Sequence, residues 1–257
     1  MRAARTCFSS VRNTTAPKAV IFDKDGTLID AHATWAPLVA EAVARYTTVS
    51  NDANAHKIYT VLGLDATSMT FGNRSVFMTD SNETCRRRLD QHGIDALLFY
   101  RGMDQVCEEM LGSHITPLFD INALFDKLRN VHGVQVGMLT ADDRTNVQQL
   151  LDRTALTLDV LGCGDDGKGW KPSGDPLVAM AAELGLHPSE MIMVGDSTHD
   201  VDAGIDAGTV TVGVETGVGS KTLLGHADFV VASAEDVCEV VEELLNGEGG
   251  VGRRRRR

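Results

Sequence analysis

Four short segments of the 257-residue chain hold the side chains able to do chemistry together. They are Asp23-Lys24-Asp25-Gly26-Thr27, Thr140, Lys171-Pro172 and Gly195-Asp196-Ser197-Thr198-His199-Asp200. The carboxylates Asp23, Asp25, Asp196 and Asp200 cannot all stay ionised in one site unless cations compensate them. The donor atoms are oxygens, with no His or Cys cluster among them, so the expected cation is hard. Mg²⁺ fits, because it binds one or two carboxylates together with substrate phosphate oxygens and water. Asp23, Asp196 and a phosphate dianion would carry four negative charges, and Mg²⁺ with Lys171 would set three positive ones against them. Thr140 adds a hydroxyl donor, and the N–H groups of the helix start behind it can hold phosphate oxygens. These parts suit phosphoryl transfer through a covalent aspartyl phosphate. Asp23 would attack phosphorus in line. Asp25, two residues on, would protonate the leaving oxygen and then deprotonate the water that hydrolyses the intermediate.

Such residues act only if the fold brings them together. Apolar runs without alternation, at 19–22, 134–139, 158–161, 191–194, 210–214 and 229–231, read as strands buried on both faces. Helical patterns at 121–131, 145–151, 176–184, 200–207 and 234–245 separate most of them. Alternating strands and helices predict an α/β fold with a doubly wound parallel sheet. In such sheets ligands bind beyond the carboxyl ends of the strands, where each of the four segments falls. Between about 31 and 115 the rhythm breaks: helical stretches at 35–46 and 82–92 appear without a convincing buried strand. This predicts a small helical cap domain, 31–115, inserted after the first strand of a core formed by 18–30 and 116–246.

Net charge is −12, but the first 17 residues carry +3 and the last five +5, which leaves −20 on residues 18–252. So acidic a body repels nucleic-acid phosphates. No apolar run approaches the roughly 18 residues that span a bilayer, so neither a nucleic acid nor a membrane is an expected partner. The five cysteines are scattered with no C-x-x-C pair, which argues against a zinc site or a disulfide framework. Residues 1–22 lack Asp and Glu and are rich in Arg, Ser and Thr, the composition of an organelle transit peptide. The expectation is a disordered extension over 1–17 and a mitochondrial or other organelle matrix location if it is a transit peptide, otherwise the cytoplasm. Residues 247–257 read as a disordered Gly/Arg tail. Nothing in the chain assigns an oligomeric state.

The ordered set Asp23–Thr27, Thr140, Lys171-Pro172 and Gly195–Asp200 resembles the four motifs of the haloacid dehalogenase superfamily, with Gly164-Asp165-Asp166 and residues 200–208 extending the match. The resemblance implies Asp23 as nucleophile, Asp25 as general acid/base, and Thr140 and Lys171 as phosphate ligands. It also implies Mg²⁺ held by Asp23, the Asp25 backbone carbonyl and Asp196, with Asp200 supporting the metal site. Residues 23–35 and the pattern at 62–71 are similar to a phosphoglycolate-phosphatase-like branch. The expected activity is hydrolysis of a small soluble phosphomonoester, and the resemblance implies a 2-phosphoglycolate-like one. A sugar phosphomutase of the β-phosphoglucomutase type shares all four motifs, and a non-catalytic member of the fold is the alternative outside enzymes. Asp142 and Asp143 read as serving a helix start, and Trp35, with His32 and Thr34, as either substrate contact or packing.

Overall fold

The computed structural model describes residues 6–7, 15–51, 55–73 and 75–247. Its strands are β1 (Thr6–Cys7), β2 (Ala19–Phe22), β3 (Leu64–Asp65), β4 (Thr70–Phe71), β5 (Gln135–Leu139), β6 (Val160–Gly162), β7 (Met191–Gly195), β8 (Val210–Val214) and β9 (Phe229–Val231). Seven of them form one sheet in the order β1-β9-β8-β7-β2-β5-β6. All neighbours run parallel except β1, which pairs antiparallel with β9. In register, Val20 lies between Val136 and Ile192, so β2 is central. From β2 the chain builds outward through β5 and β6, then returns across β2 to β7. That reversal opens a crevice at the carboxyl ends of β2, β5 and β7.

The helices explain the unalternating strands. Residues of β2 and β7 are buried throughout, because helices cover both faces of the sheet. These core helices are α7 (Ile121–Asn130), α8 (Arg144–Thr154), α9 (Asp175–Leu184), α10 (Thr198–Ala207) and α11 (Val237–Leu245), numbered after six in the insert. The six are α1 (Ala31–Ser50), α2 (Ala55–Leu62), α3 (Val76–Thr79), α4 (Asn82–Gln91), α5 (Ala96–Val106) and α6 (Gly112–His114). Asp30 caps α1, its Oδ1 accepting from Ala33 N at 2.9 Å, and α1 ends on Asn51 in the left-handed conformation, φ 54°. The two connections between insert and core lie side by side, with Asp30 N donating to Thr116 O at 2.7 Å and Leu118 N to Leu28 O at 3.0 Å. No helix among the described residues is long and apolar enough to cross a membrane.

Some expectations differ in detail. The insert carries a two-residue antiparallel pair, β3 with β4, where only helices were expected. The run at 158–161 becomes a strand only from Val160, because the Asp159 carboxylate accepts from Val136 N at 2.8 Å and from Arg129 at 3.1 Å. The pattern at 234–245 is split: a Ser233–Asp236 capping box winds a 3₁₀ turn over Ala234–Asp236 before α11 begins. Thr6–Cys7 falls inside the segment read as a disordered extension and is instead paired. Most of that segment, with its transit-peptide reading, and the Arg tail lie outside the described residues.

Candidate active site

The carboxyl end of β2 delivers Asp23, whose N–H donates to Val194 O of β7 at 2.8 Å. Lys171, from the loop between β6 and α9, closes the middle of the site. Its ammonium donates to Asp23 Oδ1 at 2.6 Å, to Asp200 Oδ1 at 2.5 Å and to Leu139 O at 3.3 Å, which uses its three N–H donors. Asp200 is fixed from the other side by Ser197, through N–H at 3.0 Å and Oγ at 2.6 Å, as half of the capping box that starts α10. Asp196 Oδ2 accepts from Val218 N at 2.7 Å. A Cβ at Gly217 would sit 1.9 Å from that oxygen, and one at Gly26, where φ is +82°, would sit 2.6 Å from it. Only glycine lets both backbones approach this close.

Asp23, Asp196 and Asp200 are buried, at 6%, 3% and 1% exposure, and one oxygen from each lies within 4.8 Å of the others. Burial pushes the Asp23 carboxyl up to about 7; Lys171 opposes the rise, and Asp200 and Asp25 add to it. Burial, then Asp23 and Asp200, also hold Asp196 well above the usual carboxylate range. Burial pulls Lys171 down, but Asp200 and Asp23 outweigh it, so the ammonium stays charged. Three buried carboxylates thus share one ammonium, and the site lacks positive charge. An all-oxygen donor set short of positive charge fits a hard divalent cation.

Asp25 stands beside this triad with different partners. Its Oδ1 accepts from Trp35 Nε1 at 2.5 Å, and its Oδ2 lies 2.9 Å from Lys24 Nζ. Lys24 is 2% exposed, also pairs with Asp142 at 2.8 Å, and sits 4.9 Å from the centre of the Trp35 ring. Burial alone would lower its pKa, yet Asp142 and Asp25 raise it above the ordinary lysine value. Asp142 is therefore the counter-ion of Lys24 and also serves the helix start the sequence suggested, its Oδ1 accepting from Asp143 N and Asn146 Nδ2, both at 2.8 Å. Thr140 lies buried at the end of β5, its Oγ1 accepting from Asp142 N at 3.1 Å.

The structure brings every expected site residue to one cavity of about 810 Å³, mouth included. Trp35 and Phe77 of the insert meet edge to face at 5.7 Å on its wall. Besides the Trp35–Asp25 bond, two contacts join insert to core across it: His199 Nδ1 to Thr79 O at 2.6 Å and Asn82 Nδ2 to Asp143 Oδ2 at 3.0 Å. His32 and Thr34 do not line the cavity. His32 Nδ1 accepts from Phe71 N at 3.1 Å, and Thr34 Oγ1 accepts from Thr116 N at 3.2 Å, so both serve packing. Sequence reasoning missed Lys24, Trp35 as the donor to Asp25, and the loop after β8. In that loop Thr216 Oγ1 donates to Gly26 O at 2.6 Å while Val218 holds Asp196. A lysine flanked by two aspartates in the first turn, and Thr-Gly-Val-Gly after a buried strand, were the available signals.

Comparison with known proteins agrees with this geometry. A phosphoglycolate phosphatase of Salmonella choleraesuis (strain SC-B67) is 28% identical over 240 residues, covering 86% of this chain and 90% of that one. An uncharacterised hydrolase of Saccharomyces cerevisiae is 43% identical over 76 residues, 30% of this chain and 35% of that one. Among solved structures, a HAD phosphatase from Thermococcus onnurineus superposes with a TM-score of 0.65 at 21% identity, covering 87% of this chain and 97% of that chain. A β-phosphoglucomutase from Clostridium difficile gives 0.62 at 20% identity, over 90% and 98%. The family model of haloacid dehalogenase-like hydrolases matches residues 17–208, and the chain belongs to that family.

Proposed function

We propose that the protein is a Mg²⁺-dependent phosphatase that hydrolyses a small phosphomonoester through an aspartyl phosphate on Asp23. The observation that carries the reading is the division of labour between two carboxylates two residues apart. Asp23 lies against Lys171 in the buried triad, whereas Asp25 is held apart by Trp35 and Lys24. Asp23 supplies the oxygen that attacks phosphorus while the bond to the leaving alcohol breaks. Asp25 gives that alcohol its proton, and then takes one from the water that cleaves the acyl phosphate to Asp23 and inorganic phosphate. Lys171, placed between Asp23 and Asp200, and the Thr140 hydroxyl orient the transferring group and offset its charge. Mg²⁺, held by Asp23 and Asp196 with Asp200 behind them, would neutralise charge on the phosphoryl oxygens.

Family membership and the phosphatase relatives support this reading. 2-Phosphoglycolate, named for the Salmonella relative, is the reference ester for assay. The test is inorganic phosphate release from a panel of phosphomonoesters, with Mg²⁺ or with excess EDTA, for wild type and Asp23→Asn. Release that needs both the metal and Asp23 is expected. Sugar phosphate isomerised without net phosphate release would mark a mutase and overturn the hydrolytic reading.

A further inference from the structure

We propose that the leaving-group side of the cavity takes an alcohol without negative charge, neutral or cationic, and turns away carboxylates. The inference rests on the phosphatase reading and concerns the far end of the same site. Beyond the reacting carboxylates the wall carries Asp80, Asp104 and Asp143 among Phe77, Tyr100 and Met103. Among the described residues Asp80 and Asp104 make no ion pair; Asp143 accepts a hydrogen bond from the neutral Asn82. A fourth carboxylate, Asp142, is matched by Lys24 and leaves that ammonium no charge to offer. Lys171 is the lysine or arginine among the described lining residues, and its donors are engaged by Asp23, Asp200 and Leu139 O. Arg86 rests 4.6 Å from the Tyr100 ring and lines an adjoining groove.

A phosphomonoester already brings two negative charges to the triad, more than a divalent cation and Lys171 together balance beside Asp23, Asp196 and Asp200. A carboxylate on the leaving group would add a charge facing Asp80, Asp104 and Asp143 with no further lysine or arginine on the cavity wall, since Arg86 meets Asp104 and Asp143 from the adjoining groove. Like charges set opposite one another are strongly disfavoured, and this is a common way for a site to reject a ligand. A hydroxyl can instead donate to these carboxylates and accept from Asn82 or Asn146. An ammonium pairs with the carboxylates and rests against the Tyr100 and Phe77 rings.

The experiment compares kcat/KM of the full chain, with Mg²⁺, for three esters of matched length: 2-phosphoglycolate, 2-hydroxyethyl phosphate and 2-aminoethyl phosphate. p-Nitrophenyl phosphate, which carries a good leaving group, reports on the phosphatase reading itself. The hydroxyethyl ester should exceed phosphoglycolate by roughly tenfold or more, and the aminoethyl ester should at least equal the hydroxyethyl one. In Asp80→Asn/Asp104→Asn the ratio of phosphoglycolate to hydroxyethyl phosphate should rise by roughly threefold or more. Each single variant gives the same direction if the double variant does not fold. Phosphoglycolate turned over as fast as or faster than the hydroxyethyl ester overturns this inference and leaves the phosphatase reading standing. An unchanged ratio in the folded variants overturns the assignment to Asp80 and Asp104. No turnover of any ester, p-nitrophenyl phosphate included, overturns the phosphatase reading and this inference with it.

Discussion

Replacing Lys24 by Met should destabilise the protein more than any exposed lysine substitution would. The change keeps most of the apolar stem and removes the ammonium. That ammonium is nearly sealed from water and lies 2.9 Å from Asp25 and 2.8 Å from Asp142, whose side chains are 15% and 9% exposed. Removing one partner of a buried ion pair costs about 3–5 kcal/mol, because the other charge is stranded. The residual exposure of Asp25 places Lys24→Met near the lower end, about 3 kcal/mol. For a chain of this size that corresponds to a fall of roughly 6–12 °C in Tm. The pH for the assay follows from the direction of the shift. A lysine whose folded pKa is raised contributes stability that is full below its unfolded value, about 10.4, and lost as pH rises through the folded one. At pH 7 the whole effect is therefore present. Urea denaturation of Lys24→Met, Asp142→Leu and the double variant completes the test. The cycle should give a coupling of about 1.5 kcal/mol or more, since deleting Asp142 relieves part of the stranded charge. A Tm change below about 2 °C for Lys24→Met, or strict additivity in the cycle, would refute this account of the pair.

Other outcomes follow from the same geometry. Asp25→Asn should lower kcat for alkyl phosphates by about 10²–10⁴ and for p-nitrophenyl phosphate much less, because that leaving group needs no proton; equal losses on both would remove Asp25 from the acid role. In metal-free protein Asp23 titrates near 7, well above its unfolded value. Its contribution to stability is therefore full below about pH 3.9 and lost as pH rises through about 7. Tm without metal should fall from pH 5 to pH 8 while the increment produced by Mg²⁺ grows over the same window. Asp23→Asn should flatten both trends, and thermal melts with and without Mg²⁺ check it. Gly217→Ala drives a Cβ to 1.9 Å from Asp196 Oδ2, so it should cost about 1–3 kcal/mol and erase the Mg²⁺-induced rise in Tm. Retention of that rise would show that Asp196 can move without loss of the cation site.

Much of the core could be read from periodicity. The apolar runs at 19–22, 191–194 and 210–214 have no other use than as strands covered on both faces, and they appear as β2, β7 and β8. Asp23, Thr140 and Asp196 were found because each directly follows such a strand, where chain topology alone brings them together. Lys171 was harder, since its loop carries no strand, and its neighbour Lys168 instead pairs with Glu183 at 3.5 Å on the surface. Lys24 and Trp35 escaped because their roles depend on contacts across the chain. The ion pair Lys24–Asp142 and the bond from Trp35 to Asp25 exist only once α1 and the turn after β5 are set against the first strand. The β3–β4 pair was illegible for another reason: two residues per strand leave no period to detect. The helix α5 went unread because its apolar residues, among them Phe99 and Tyr100, pack against α1, with Tyr46 and Phe99 6.3 Å apart, and the pattern makes sense only with that partner in place.

If Asp23 itself takes the phosphoryl group, its acyl phosphate can be trapped during turnover. Wild-type protein is mixed with Mg²⁺ and excess p-nitrophenyl phosphate, quenched in hydroxylamine, which converts an acyl phosphate to a hydroxamate, and digested for peptide mass analysis. Hydroxamate is expected on Asp23, dependent on substrate, and none on Asp25, Asp196 or Asp200. Turnover without any trapped Asp23, or the label on another carboxylate, would contradict that role of Asp23.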